Sequence, residues 1–268
     1  MSKKKIISLC LVVCLVATAI VGGTLAYFTD TDYNKNVMVT GNVKIDQIEE
    51  QYAEDGTTIE EFVDDKQLFP VTKDIDSATW DDPNAVDKMV RVENTGTENA
   101  FVRTIFAFEM GKDGDEWKDI VGSHVHYMYD TNDDGSKLEW PMINGEYVTV
   151  DVDDTEYIVG VYYYNDDSVV EDGVTKMSAL KGKKDGVVTT SDYSLLKVWL
   201  LSSVGNDFYD LVGDKYDILV MSQAVQTEGF DDAATALNAA YGEVNNESVA
   251  EWFANSDYTT SHDVSADK

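Results

Sequence analysis

Beyond residue 14 the sequence contains no cysteine. Its two cysteines, Cys10 and Cys14, both fall in an apolar leader. Disulfide scaffolds, thiolate zinc sites, iron–sulfur clusters and thiol catalysis are therefore excluded for the chain that follows. Proline is scarce as well. Pro70, Pro83 and Pro141 are the only ones in 268 residues, which excludes a Pro-rich stalk. Basic residues are few: 20 Lys+Arg stand against 51 Asp+Glu, a formal net charge of −31. Such a field repels nucleic-acid phosphates and anionic headgroups, so neither nucleic acid nor a membrane surface is expected as a partner. Aromatics are not lacking. With 15 Tyr, 9 Phe, 5 Trp and 43% apolar residues, the chain has the material for a sizeable core.

The first segment reads as an export leader. Lys3, Lys4 and Lys5 precede an apolar run from Ile6 to Val21, then Gly22-Gly23-Thr24-Leu25-Ala26. Small residues at Thr24 and Ala26 meet the steric demand of a signal peptidase cutting before Tyr27. The expected mature chain, 27–268, carries 17 basic and 51 acidic residues. A retained membrane anchor is the competing reading, but the run falls short of the roughly 20 residues a span needs. The membrane is thus expected only as the site of the uncleaved leader.

After the leader, Val37, Val39, Val43 and Ile45 alternate with Met38, Thr40, Asn42 and Lys44, the period of a strand with one buried face. Residues 49–85 are acidic and weakly periodic, an expected long excursion. Strands are predicted at 86–93, 101–108, 124–130, 146–152, 157–164, 194–201 and 216–225. The turn signals are Asn94-Thr95-Gly96, Asp133-Asp134-Gly135, Asn144-Gly145, Asn165-Asp166-Asp167 and Lys184-Asp185-Gly186. The first of these is expected to use a positive φ. Strand 101–108 has large apolar groups on both faces, as a central strand should, with Arg103 as the exception. Two short helices are predicted near the end. Asp231 caps a segment carrying Leu237, Ala240 and Tyr241 and closed by Gly242; Asn246 caps one carrying Val249, Trp252 and Phe253. Many short strands with such turns predict a sandwich or barrel in a single domain.

Catalytic signatures are missing from the sequence. There is no H-E-x-x-H, G-x-S-x-G, P-loop or G-x-G-x-x-G, and no catalytic residues are assigned. His124-x-His126 has the spacing of two ligands on one strand face, but no third ligand can be named. Asp130-x-Asn132-x-Asp134-Gly135 matches the opening of a calcium loop, whose oxygens at positions 1, 3 and 5 converge on one ion. The match stops there: position 12, normally Glu, is Pro141. The bland reading is an acidic hairpin turn. No resident cofactor is expected, and any calcium is expected at Asp130, Asn132 and Asp134.

The run Gly22-Gly23-Thr24-Leu25-Ala26-Tyr27-Phe28-Thr29-Asp30-Thr31, leading into Asn36-Val37-Met38-Val39-Thr40-Gly41-Asn42-Val43-Lys44-Ile45, resembles the export signal of the TasA/camelysin family of Gram-positive bacteria. Thr40 stands where the family has a small Ala, and Val43 and Ile45 where it has leucines. Val92-Glu93-Asn94-Thr95-Gly96-Thr97-Glu98-Asn99-Ala100-Phe101-Val102 looks like the family's first hairpin. The resemblance implies processing by a dedicated SipW-type signal peptidase and a mainly β, jelly-roll-like antiparallel sandwich with a few short helices and long loop insertions. It also implies a secreted structural role in biofilm matrix fibres, through self-association or contacts with other matrix proteins. The segment freed by cleavage, about 27–48, would pair as an extra strand with the next subunit, with Val37, Val39, Val43 and Ile45 as its assembly face. Camelysin-type metallopeptidase activity is the first alternative, although no metal motif supports it, and an enzyme is not expected. A monomeric cell-surface or adhesion module is the second.

Overall fold

The computed structural model describes residues 43–63, 66–73, 82–110, 124–129, 138–164, 179–205, 208 and 216–256, and the backbone of 29–32, 170–171 and 174–175. The chain is mainly β, with antiparallel sheets arranged as a sandwich. Its strands are β1 (Thr29–Asp32), β2 (Ile45–Tyr52), β3 (Ile59–Glu61), β4 (Val86–Asn94), β5 (Ala100–Glu109), β6 (Val125–Met128), β7 (Leu138–Glu139), β8 (Met142–Ile143) and β9 (Glu146–Tyr147). There follow β10 (Thr149–Val152), β11 (Thr155–Tyr163), β12 (Val170–Glu171), β13 (Val174–Thr175), β14 (Ala179–Leu180), β15 (Thr189–Thr190), β16 (Leu195–Leu200) and β17 (Ile218–Gln226). Two helices, α1 (Ala233–Tyr241) and α2 (Asn246–Ala254), come last.

The front sheet runs β1-β17-β5-β11-β10, with β14 on β5 and β7 on β11; the back sheet runs β3-β2-β4-β16-β6, with β15 on β4. Between them lies a core that includes Val90 and Val92 of β4, Val102, Phe106 and Phe108 of β5, Leu195 of β16 and Val220 of β17. On the other side of the front sheet, Ile105, Val159, Val161 and Met221 meet Val249, Trp252 and Phe253 of α2. Phe101 and Val225 meet Ala233, Ala236 and Leu237 of α1. Because sheet packs on one face and helices on the other, all ten residues of β5 are buried. This is why its sequence shows no alternation.

The predicted strands are present with shifted ends, and the 146–152 segment divides into β9 and β10. Three expectations need correction. The 49–85 segment is not one excursion, because β2 continues to Tyr52 and β3 folds back on it, with Tyr52 opposite Ile59. The acids that blur its pattern are neutralised across the sheet: Lys88 Nζ pairs with Glu49 and Arg91 with Glu50. The 94–96 turn uses no positive φ. Instead, Gly96 N–H donates to Asn94 Oδ1 at 3.0 Å, a side-chain-closed turn. The helix caps lie one residue from the predicted positions. Asp232, not Asp231, accepts from Thr235 N–H, and Asn245, not Asn246, accepts from Ser248 N–H. Asn144-Gly145 and Asp185-Gly186 do take the positive φ pairs expected of hairpin turns.

Candidate functional site

Ala26, Tyr27, Val37 and Val39 lie outside the described residues, as do Asp130, Asn132 and Asp134. Of the proposed assembly face, Val43 and Ile45 are described. Both are 1% exposed and sit in the core of their own chain, Ile45 opposite Asn94 of β4. His124 and His126 each pack against an aromatic ring. One ring stacks 6.2 Å from Phe208 and the other lies 5.9 Å from Trp199. Among the described residues no three His, Cys, Asp or Glu side chains form a metal-holding group.

The N-terminal segment is the most distinctive feature of the front sheet. β1 lies antiparallel on β17, Thr29 opposite Val225 and Asp32 opposite Ser222. It begins two residues after the expected cleavage point. Its sequence, Thr-Asp-Thr-Asp, has no apolar side chain. Pairing of its backbone with β17 is thus its main tie to the sheet. On its other side, β17 pairs along its whole length with β5. Without β1, the stretch 222–225 of β17 has no other strand on that side among the described residues and becomes an open sheet edge.

β2 is held quite differently. A buried polar chain crosses the sandwich from front to back. Ser222 Oγ donates to Gln47 Oε1 at 2.8 Å, and Thr104 Oγ1 lies 2.9 Å from Ser222 Oγ and 2.8 Å from the Tyr164 hydroxyl. Tyr164 donates to Ser194 Oγ, which donates to Val90 O, both at 3.1 Å. Gln47 Nε2 also reaches Val220 O of the opposite sheet and Glu49 Oε1, itself paired with Lys88. Burial pushes the Tyr164 phenol up, so it stays a neutral donor.

A second polar anchor holds the helices. Arg103 is fully buried, and its fork donates to Gln223 Oε1 at 2.8 Å, Asn238 Oδ1 at 2.9 Å and Gly242 O at 3.3 Å. Its guanidinium carbon lies 5.0 Å from the Trp252 ring centroid. Burial lowers its pKa, opposed by Tyr163 and Tyr241. A third group sits at the end of the front sheet. The Tyr157 and Tyr216 hydroxyls are buried, the latter with no hydrogen-bond partner among the described residues, and Glu109 Oε2 accepts from Asp217 N–H at 2.9 Å. Burial, then nearby Asp217 and Glu109, raise Tyr157; burial, then Glu109, raise Tyr216. None of these groups sets a nucleophile beside a base.

Sequence reasoning marked Arg103 but found no partner for it, and it missed the Gln47–Ser194 chain altogether. Such partners are brought together by the fold from positions up to 175 residues apart. No family model matches the chain, and no curated protein or solved structure matches it either.

Proposed function

We propose that the mature chain is a secreted structural protein of the extracellular or biofilm matrix, released by a SipW-type peptidase and assembling into fibres by exchange of its N-terminal strand. The observation that supports this reading is β1: a polar four-residue strand near the expected new N-terminus, occupying the edge of β17. Its ladder of about four backbone bonds contributes roughly 2–6 kcal/mol net. A partner's copy offers the same bonds, so exchange between chains is close to neutral per strand and is driven by concentration. A strand passed on to the next sheet edge makes a head-to-tail contact that propagates. The exchanged unit ends before Val43, because Val43 and Ile45 belong to the body of the subunit.

The test compares residues 27–268 with 33–268. N-terminal sequencing of exported protein first establishes the start at Tyr27. Electron microscopy and light scattering are expected to show fibres of the longer protein and folded, unassembled subunits of the shorter. A longer protein that stays monomeric at all concentrations refutes strand exchange and leaves the monomeric surface module.

A further inference from the structure

A basic arm packs on one end of the back sheet, whereas the other end is acidic. At the start of β2 stands Lys44, and packed beside it is a hairpin that holds Lys181, Lys183 and Lys184. The contact is backbone to backbone. Thr95 and Gly96 N–H groups donate to Lys44 O at 2.9 and 3.0 Å, and Lys183 N–H donates to Gly96 O at 2.6 Å. Gly182 lies so close that a Cβ there would sit 2.2 Å from Thr97 O. The lysine arm is therefore rigidly seated. It closes through paired Lys184–Val187 bonds of 3.0 and 2.8 Å, and Val187 at its tip is 70% exposed. The acids nearby are Asp46, which lies 3.6 Å from Lys44, Glu93 of β4, which stands opposite Asp46, Glu98 and Asp185. The segment 181–187 itself carries three lysines against one acid, Asp185, and is a basic arm in a chain with 20 basic and 51 acidic residues.

The other end of β2 turns into β3. The exposed charges of the described residues in 52–66 are Glu54, Asp55, Glu60, Glu61 and Lys66. Lys88 and Arg91, which reach this end, are already paired with Glu49 and Glu50. Between the acids lie Tyr52, Ile59 and Val63, each at least 40% exposed. The outer edge of β3 has no strand beside it among the described residues. The eight residues of β2 separate the two ends by roughly 26 Å. That is well beyond the screening length of about 10 Å at 0.1 M salt, so the ends do not cancel within one molecule.

We propose that the β2–β3 edge docks a second copy of this chain, which presents its Lys181–Val187 hairpin: lysines against Glu54, Glu60 and Glu61, and Val187 against Ile59 and Tyr52. The occupant is chosen by charge. An acidic, apolar edge on a strongly acidic protein rejects most of its own surface, and the lysine arm is the part that fits. The contact is heterologous, so it repeats from copy to copy along the direction of β2. It rests on the matrix reading only for its biological setting, and it uses different residues from the strand exchange.

Sedimentation velocity on residues 27–268, at about 100 mM and about 500 mM NaCl, tests it. The expected result is association at low salt that weakens at least tenfold at high salt. Lys181→Glu/Lys183→Glu/Lys184→Glu leaves both ends acidic and stays monomeric. Glu54→Lys/Glu60→Lys/Glu61→Lys leaves both ends basic and stays monomeric too. An equimolar mixture of the two associates again. Circular dichroism confirms that each variant is folded. Wild type that is monomeric at low salt, or variants that associate as wild type does, overturns the contact. Salt-independent assembly lost only on removing Tyr27–Asp32 overturns it and leaves strand exchange standing. Charge-dependent assembly that survives this truncation supports it and removes the need for exchange.

Discussion

Replacing Arg103 by Met tests whether a buried charge with no carboxylate partner among the described residues holds the helices to the front sheet. Met keeps most of the apolar stem and deletes the fork. Three acceptors then lose their donor: Gln223 Oε1, which is 1% exposed, and Asn238 Oδ1 and Gly242 O, which are half-buried. The buried orphan costs about 1–3 kcal/mol, whereas water can reach the other two at smaller cost. Loss of the cation–π contact with Trp252 adds about 1–2 kcal/mol. Removing a desolvated charge returns part of this. The expected net loss is roughly 2–4 kcal/mol, or about 5–15 °C in Tm for a chain of this size. Arg103→Lys is expected to lose nearly as much, because a point charge cannot reach three diverging acceptors. Since Asn238 and Gly242 belong to α1 and its cap, and Trp252 to α2, both helices should lose hydrogen-exchange protection before β5 does. Thermal melts and exchange of the two variants provide the assay. Equal or higher Tm for Arg103→Met, or uniform loss of protection, refutes the role.

Asp232→Ala removes the α1 cap and is expected to cost about 1 kcal/mol in chemical denaturation. Hydrogen bonds from Thr235 hold the Asp232 carboxyl below its ordinary pKa of 3.8, so this contribution is present above that pH and is lost as pH falls through the lower folded value. The wild-type advantage over Asp232→Ala should therefore shrink below about pH 3.8. The polar chain across the core makes a sharper claim. Five links, from Val90 O to Gln47 Oε1, share four hydroxyl protons, and both ends are acceptors. Thr104, in the middle, can serve only one neighbour at a time. Thr104→Val removes one proton and two links, leaving every remaining proton placed, and should cost under about 1 kcal/mol. Ser222→Ala takes the donor from Gln47 Oε1 and should cost about 1–3 kcal/mol. Denaturant melts giving the reverse order sink the proton count.

Local chemistry was legible where one residue type decides. Asn144-Gly145 and Asp185-Gly186 announce positive φ turns, and the apolar density of Phe101 to Phe108 announces a strand buried on both sides. Legibility failed where two residues compete for one task. Asp231 and Asp232, or Asn245 and Asn246, are equally good caps, and only the approach of Thr235 or Ser248 N–H chooses between them. It failed again where charge hides a strand. Glu49 and Glu50 look like solvated loop until Lys88 and Arg91 of β4 are placed opposite them. At 94–96 the Asn side chain did the work that a positive φ was expected to do. Of the alternation from Val37 to Ile45, only Val43, Lys44 and Ile45 are described, and β2 starts at Ile45.

That start sets what the N-terminal region can release. Freeing β2 would expose Val43 and Ile45, break Gln47 from Ser222 and Val220, and strip Glu49 and Glu50 from Lys88 and Arg91. Each loss costs kilocalories, and together they amount to unfolding the back sheet. Freeing β1 costs the backbone bonds of four residues with no apolar side chain among them. A subunit that passes a strand to its neighbour must keep its body intact while the strand is away. Composition resolves that conflict here: Thr-Asp-Thr-Asp on one side of residues 33–42, and Val43, Ile45 and Gln47 on the other. Under the proposed exchange, Val43 and Ile45 are the anchor that stays with the body while β1 departs.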